Sequence, residues 1–239
     1  MKAMVFAAGR GERMRPLTDT VPKPLLAVAG RPLVVWHLEK LAARGIRDVV
    51  INLSHLASVV RTALGDGGRW GLRIAYSDEG PLPLETGGGL LQALPMLGGE
   101  PFLLVNADVW SDVDYGSLPD EPSGLANLVL VDNPDHHAAG DFWLTADDQV
   151  LDDSPPEGAK RLTYAGVGVY RPEILQGWRA VIGHAPGARD MPPRFPLAPL
   201  LRAAMRKGQV SGRHHAGRWC DVGTPGRLAS LDRLLTGLS

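Results

Sequence analysis

A chain of 239 residues with a formal charge of -1 and 44% apolar residues can build one large α/β core or two small ones. Near-neutrality gives no reason to expect nucleic acid or an anionic membrane as partner; no apolar run approaches the ~20 residues of a membrane span, and the N-terminus lacks the apolar core of a signal peptide. A single cysteine, Cys220, excludes an internal disulfide framework and fits a reducing compartment, so a cytoplasmic protein is expected.

Lys2 to Phe6 reads as a short strand ending in Ala7-Ala8-Gly9-Arg10-Gly11, where small side chains leave backbone N–H groups open. Gly9 and Gly11 can take positive φ and form an anion-binding nest, and Arg13, Arg15 and Lys23 supply the cations that a triphosphate needs. Met14 stands where a dinucleotide fingerprint needs its third Gly, and no Gly-Lys-Ser or Gly-Lys-Thr of a P-loop follows. Gly-Arg-Gly by itself reads as well as a surface turn.

Pro32 to Arg44 has helical spacing at Val34, Leu38 and Leu41; a buried strand follows at Asp48 to Leu53, then a helix through Val59, Val60, Ala63 and Leu64, and a strand at Leu72 to Tyr76. This β-α-β-α-β alternation predicts a mainly parallel sheet with helices on both faces and ligands beyond the C-terminal strand ends. Pro83 to Leu90 reads as a Gly-rich turn, either a helix start capped by Thr86 or a second backbone-lined wall at the same sheet edge. The strand Pro101 to Val109 loses its apolar character at Asn106 and Asp108; a strand-end carboxylate there serves as a turn cap or as a hard oxygen ligand for Mg²⁺.

Beyond Gly116 the spacing predicts strands at Leu125 to Val131, Phe142 to Leu144, Gln149 to Leu151 and Arg161 to Tyr170, in a smaller antiparallel layer over the strand ends. Residues 183–195, rich in Pro, Gly and Arg, read as a mobile surface loop. A helix through Leu197, Leu200, Leu201 and Met205 and a strand near Gln209 to His214 follow. Thr224 and Pro225 then open a last amphipathic helix, with Asp221 just before it. His214 and His215 fall on opposite faces of a strand and cannot share a metal, and the chain has no Gly-x-Ser-x-Gly elbow for covalent catalysis.

The string Ala-Ala-Gly-x-Gly-x-Arg-Met-x-Pro-Leu-Thr from Ala7, followed by Pro-Lys-Pro-Leu from Pro22, resembles the signature of the sugar-1-phosphate nucleotidyltransferases, and the similarity runs to about Leu235. The resemblance implies a Rossmann-like α/β/α sandwich with a mixed, mainly parallel sheet and a small antiparallel sugar-binding layer. It implies one domain, 1–239, with residues 1–116 as the nucleotide half and 117–239 as the sugar half carrying the second metal ligand. Nucleotide contacts are expected from Ala8, Gly9, Gly11, Glu12, Arg13, Lys23 and Asn106. Glu85, Gly87 and Gly88 join them in a segment similar to the family's Leu-Gly-Thr-Ala-Gly, with Glu85 in place of Gly. Arg13 and Lys23 are the expected catalytic cations. Asp108 and Asp221, the latter in a Trp-x-Asp-Val-Gly-Thr motif, are expected to converge on Mg²⁺. Asn133, Gly140, Asp141, Tyr164 and Gly166 are expected around the sugar, although no clear Glu-Lys-Pro motif of the family is present and Lys160-Arg161 does not stand in for it.

The Pro-Leu-Glu-Thr-Gly-Gly-Gly segment and the Val-Asp-Asn-Pro-x-His-His run resemble the family's compact members that use UTP and N-acetylmuramic acid 1-phosphate. They imply transfer of UMP with release of pyrophosphate, in peptidoglycan recycling, by a monomer that needs no nucleic acid or membrane. A lactyl carboxylate needs a cation, and Arg194 and Arg202 are the candidates. A hexose-1-phosphate enzyme using GTP or dTTP, and a non-catalytic nucleotide-sugar-sensing subunit, stay open at this point. A sensor would be expected to have lost Lys23, Asp108 or Asp221, and all three are present.

Overall fold

The β-α-β-α-β alternation is realised in the computed structural model, which describes residues 1–153 and 155–237. The first half comprises β1 (Lys2–Phe6), a small hairpin of β2 (Ala27–Val28) and β3 (Arg31–Pro32), α1 (Leu33–Ala43), β4 (Asp48–Leu53), α2 (Ala57–Leu64), β5 (Arg73–Asp78), α3 (Glu85–Leu97), β6 (Phe102–Asn106) and β7 (Val109–Ser111). The second half adds β8 (Ala126–Val131), β9 (Phe142–Leu144), β10 (Val150–Leu151), β11 (Lys160–Tyr170), α4 (Trp178–Ile182), α5 (Ala198–Met205), β12 (Val210–His215), β13 (Trp219–Asp221) and α6 (Pro225–Thr236).

One twisted sheet, β5-β4-β1-β6-β11-β8-β12, passes through both halves. Only β11 runs against its neighbours β6 and β8; the other pairs are parallel. Alternate residues feed the two faces, as a doubly covered sheet requires. Met4, Val50, Leu104 and Leu128 pack under α3 and α5, whereas Ala3, Val5, Ile51 and Val105 pack under α1 and α2. The antiparallel layer is smaller than the sequence suggested, because β8, β11 and β12 extend the main sheet and only β9, β10 and the first residues of β11 branch from it.

That branch makes the site. Lys160 to Leu162 pair with β9 and Val167 to Tyr170 pair with β6, so the β11 edge between them is unpaired just beyond the end of β6. Gly166 turns the strand there with φ +73, and a Cβ on it would lie 2.8 Å from Asn106 Nδ2, closer than real Cβ atoms come. The lack of a side chain on Gly166 therefore lets β11 pass close to Asn106 at this opening.

The Gly-rich run differs from expectation: Gly87 to Gly89 are buried inside α3 rather than in a turn. The Gly87 and Gly88 amides donate to Phe195 O at 2.9 and 3.0 Å, and Thr86 Oγ1 accepts from Leu197 N at 2.8 Å instead of capping the helix. Phe195 is fully buried and stacks on Trp178 with centroids 4.5 Å apart, so residues 183–195 end in the core. The C-terminal helix α6 closes the other side, packing Leu231 with Met14, Val28 and Trp110, and Asp232 Oδ1 accepts from Ala29 N at 2.7 Å.

A Gly→Ala change inside an exposed helix stabilises by about 1 kcal/mol. At Gly88 the new Cβ would sit 2.4 Å from the backbone Pro193 O, and overpacking of this kind costs about 1–3 kcal/mol. Gly88→Ala should therefore lower the unfolding midpoint; a raised midpoint would show that the Phe195 segment does not press on α3.

Candidate active site

Three strand ends, β1, β4 and β6, open onto one cleft. Ala7 and Ala8 follow β1 and are nearly buried, while Gly9 has nothing within 4 Å of its missing Cβ and faces open space. Gly11 takes φ +66 and its Cβ would meet Thr18 and Lys23, so the chain can turn back on itself only with glycine there. Thr18 Oγ1 locks this turn by donating to Gly11 O at 2.8 Å. A cavity of about 220 Å³ is lined by Ala8, Gly9, Lys23, Asn52, Glu85 and Asn106 among others.

Its floor is polar and fully paired. Asn52 Oδ1 accepts from Ala7 N at 2.7 Å, and its amide donates to Glu79 Oε1 at 2.7 Å. Glu79 Oε2 accepts from Leu84 N at 2.7 Å. Burial pushes the Glu79 carboxyl above its ordinary range, against the pull of these donors. Neither Asn52 nor Glu79 was singled out from the sequence; the available signal was an amide inside the otherwise apolar strand Val49-Val50-Ile51-Asn52-Leu53.

The acidic centre lies next to this cavity. β7 pairs with β13 so that Val109 faces Asp221, and Val222 N donates to Asp108 O at 2.9 Å, which sets the two aspartates side by side. Lys23, buried at the start of a short 3-10 turn, donates to Asp108 Oδ2 at 2.5 Å. Asp221 Oδ2 lies 3.1 Å from Arg227 NH1 of α6 and 3.5 Å from His136 Nε2. The Oδ1 atom of each aspartate has no hydrogen bond among the described residues. Gly223 leaves room for this, since a Cβ there would come 3.0 Å from Asp221 Oδ1.

The two carboxylate oxygens left without a hydrogen bond are hard donors that suit Mg²⁺, which takes one or two protein carboxylates and fills its shell with water and phosphate oxygens; the one imidazole nearby, His136, faces Asp221 Oδ2 instead. No cluster of three or more His, Cys, Asp and Glu among the described residues is placed to hold a metal. His214 and His215 point to different acids, Asp132 and Asp112.

A second cavity of about 360 Å³ opens on Asp108 and Asp221 and is lined also by Arg13, Asn106, His136, His137, Asp141 and Tyr164. Asp141 is held from two sides, by His137 Nε2 at 3.0 Å and by Tyr164 N at 2.8 Å. Tyr170 donates its hydroxyl proton to Tyr164 at 2.9 Å, leaving the Tyr164 O–H to be given away. Burial holds the Tyr164 phenol well above its ordinary range, so it is a neutral donor.

Of the expected residues, Ala8, Gly9, Lys23, Glu85, Asn106 and Asp108 gather in the first cavity and Arg13, Asp141, Tyr164 and Asp221 in the second. Others stand elsewhere. Gly87 and Gly88 are occupied by Phe195, and Glu12 is exposed and lines neither cavity. Asn133 lies behind the wall, its amide donating to Ala138 O and Arg161 O, and Gly140 is small because Asn133 Oδ1 would be 2.5 Å from its Cβ. Glu85 has φ +61, a left-handed conformation costly for a side chain, and strain of this kind collects at functional sites.

The model of the nucleotidyl transferase family matches residues 2–143, more than half of the chain. The chain belongs to the nucleotidyl transferase family. It is 50% identical to an N-acetylmuramate alpha-1-phosphate uridylyltransferase of Neisseria meningitidis serogroup B, covering 98% of both chains. It is 36% identical to the protein of the same name in Caulobacter vibrioides, over 97% of this chain and 96% of that one. A mannose-1-phosphate guanylyltransferase of Mycobacterium tuberculosis is 33% identical, but 93% of this chain matches only 61% of it. The fold is that of a putative glucose-1-phosphate thymidylyltransferase from Bacillus anthracis, with a TM-score of 0.80 over 98% of this chain and 94% of that one at 19% identity.

In this nucleotidyl transferase the strand β7 is held from behind by His37 of α1. His37 Nε2–H donates to Val109 O at 2.8 Å and Tyr115 donates its hydroxyl proton to Nδ1 at 2.7 Å, which fixes the neutral tautomer. Burial lowers the His37 pKa to about 4, against an upward pull from the Val109 hydrogen bond. The unfolded chain protonates this residue near the usual value of about 6.5 while the folded one does not, so stability is present above that value and is lost as pH falls toward 4, by roughly 3 kcal/mol in all. The fall in unfolding midpoint between pH 7 and 4 should therefore be shallower in His37→Gln than in the parent. Parallel slopes would show that His37 does not titrate in this window.

Proposed function

We propose that the chain transfers UMP from UTP to N-acetylmuramic acid 1-phosphate, giving the UDP-sugar and pyrophosphate in a Mg²⁺-dependent reaction of cell-wall sugar recycling. The observation that carries the reaction class is the convergence of Lys23, Asp108, Asp221 and Arg13 on two adjoining cavities. The substrates follow from the two relatives that match over essentially their whole length and carry that name.

In this reading UTP enters the cavity over Ala8 and Gly9, with its base toward Asn52 and Glu79 and its phosphates toward Lys23 and Arg13. The sugar phosphate occupies the second cavity, where Asp141 accepts and Tyr164 donates hydrogen bonds to hydroxyls. One phosphate oxygen of the sugar attacks the α-phosphorus of UTP, and the bond to the bridging oxygen of pyrophosphate breaks. No protein nucleophile is needed. Mg²⁺ bound by Asp108 and Asp221 would neutralise developing charge on the transferring phosphoryl group. Lys23, already held against Asp108, reaches the reacting phosphates without reorganising, so its charge is preorganised for the transition state.

Removing one such preorganised cation costs on the order of 10²-fold in kcat. Lys23→Ala should show that loss with the unfolding midpoint kept, and a change below a few-fold would remove Lys23 from this role. Pyrophosphate release from UTP, dTTP, GTP and CTP, each with muramic, glucosamine, glucose and mannose 1-phosphates, should be greatest for UTP with the muramic sugar and should stop with EDTA. Preference for GTP with mannose 1-phosphate would overturn the substrates; activity that survives chelation would overturn the metal. Nucleotide binding without pyrophosphate release from any pair would favour the sensing subunit.

A further inference from the structure

We infer that Arg202 is the residue that reads the acidic arm of the sugar; this rests on the muramic substrate proposed above. A third cavity, of about 210 Å³, adjoins the other two: it shares Phe6, Thr86 and Asn106 with the first and Asn106, Asp141 and Tyr164 with the second. It therefore opens directly off the place assigned to the sugar ring. Its remaining wall is largely apolar, from Leu104, Phe142 and Leu201, with the Tyr170 hydroxyl already given to Tyr164, and it holds a single cation, Arg202 of α5.

The guanidinium is poised but not consumed. Its Nε donates to Asp152 Oδ1 at 2.8 Å, while its two terminal nitrogens make no hydrogen bond among the described residues. Those two nitrogens form the edge that matches a carboxylate in bidentate fashion. The other cations lining the three cavities are Lys23, held by Asp108, and Arg13, beside the two aspartates; both belong to the phosphate end. Arg194, the other sequence candidate, lines none of the three and pairs with Asp190 inside its own segment.

A lactyl ether carries a methyl group and a carboxylate on one carbon, and the cavity offers an apolar wall and a cation together. Glucosamine has only a hydroxyl at that position and leaves the Arg202 edge to water. Hydrogen bonding to a charged partner typically contributes enough to change affinity by one to two orders of magnitude. Arg202 is thus a specificity-determining contact: it selects the acidic sugar without touching the phosphates that react.

The test is steady-state turnover of the full chain at saturating UTP, with N-acetylmuramic acid 1-phosphate and N-acetylglucosamine 1-phosphate compared. In Arg202→Gln, kcat/KM for the muramic sugar should fall on the order of 10- to 100-fold, mainly through KM, while that for the glucosamine sugar changes less than about threefold. Arg202→Lys, which keeps the charge but not the fork, should fall between. Turnover of the glucosamine sugar also reports that each variant is folded. Equal losses on both sugars, or no loss on the muramic one, would overturn the assignment of Arg202 while the substrate reading stood. Equal use of the two sugars by the unmodified protein would overturn the acidic-sugar reading itself, and the role of Arg202 with it.

Discussion

Asp108, in the turn just before β7, and Asp221, at the end of β13, are brought together by the pairing of those strands, and carboxylates that share a site raise each other's energy unless cations accompany them. The fold supplies those cations in advance. Lys23 reaches Asp108 from the turn after the phosphate loop, and Arg227 reaches Asp221 from α6. The pairing of β7 with β13 is in turn fixed from two sides, by His37 behind β7 and by the packing of α6 on β2 and the Met14 turn. Much of what lies outside the main sheet thus serves to keep two mutually repelling groups adjacent. A site built this way has charge and position settled before substrate arrives, which is where catalysis without a protein nucleophile must find its rate.

The three adjoining cavities meet at one residue and differ in character. The first has backbone and a paired Asn–Glu floor, the second acids, cations and hydrogen-bonding partners for hydroxyls, and the third a largely apolar wall with Arg202. Asn106, at the end of β6, lines all three, and the missing side chain of Gly166 is what lets β11 pass so near it. In the proposed reading the chemistry belongs to the second cavity, lined by Arg13, Asp108 and Asp221. In that same reading selectivity belongs to the first and third cavities, through residues such as Asn52, Glu79 and Arg202 that the signature does not contain.

That division explains how far the sequence could be read. The strands Lys2 to Phe6 and Asp48 to Leu53 were legible because each is built on an apolar run, Ala3 to Val5 and Val49 to Ile51, that is buried on both faces, and Thr224 caps α6 as its position before Pro225 predicts. Lys23, Asp108 and Asp221, which the signature singles out, are placed together in the cleft. Gly87 to Gly89 were misread as a turn because glycine usually marks one; here each is small because Phe195, Pro193 or Glu79 presses on the helix, a tertiary demand invisible locally. Asn133 and Gly140 looked like ligands but support each other behind the wall. Glu79 stayed hidden because its partners, Asn52 and Leu84, are set by the crossing of β4 with the segment before α3.

In the proposed mechanism the two aspartates together hold the metal that the reacting phosphates share. A crystal structure with Mg²⁺ and the product UDP-sugar would decide this. One Mg²⁺ with a carboxylate oxygen from Asp108 and another from Asp221 at about 2.1 Å, completed by phosphate oxygens and water, is the expected result. An ion held by the phosphates alone, with Asp108 still closed on Lys23 and Asp221 on Arg227, would contradict it.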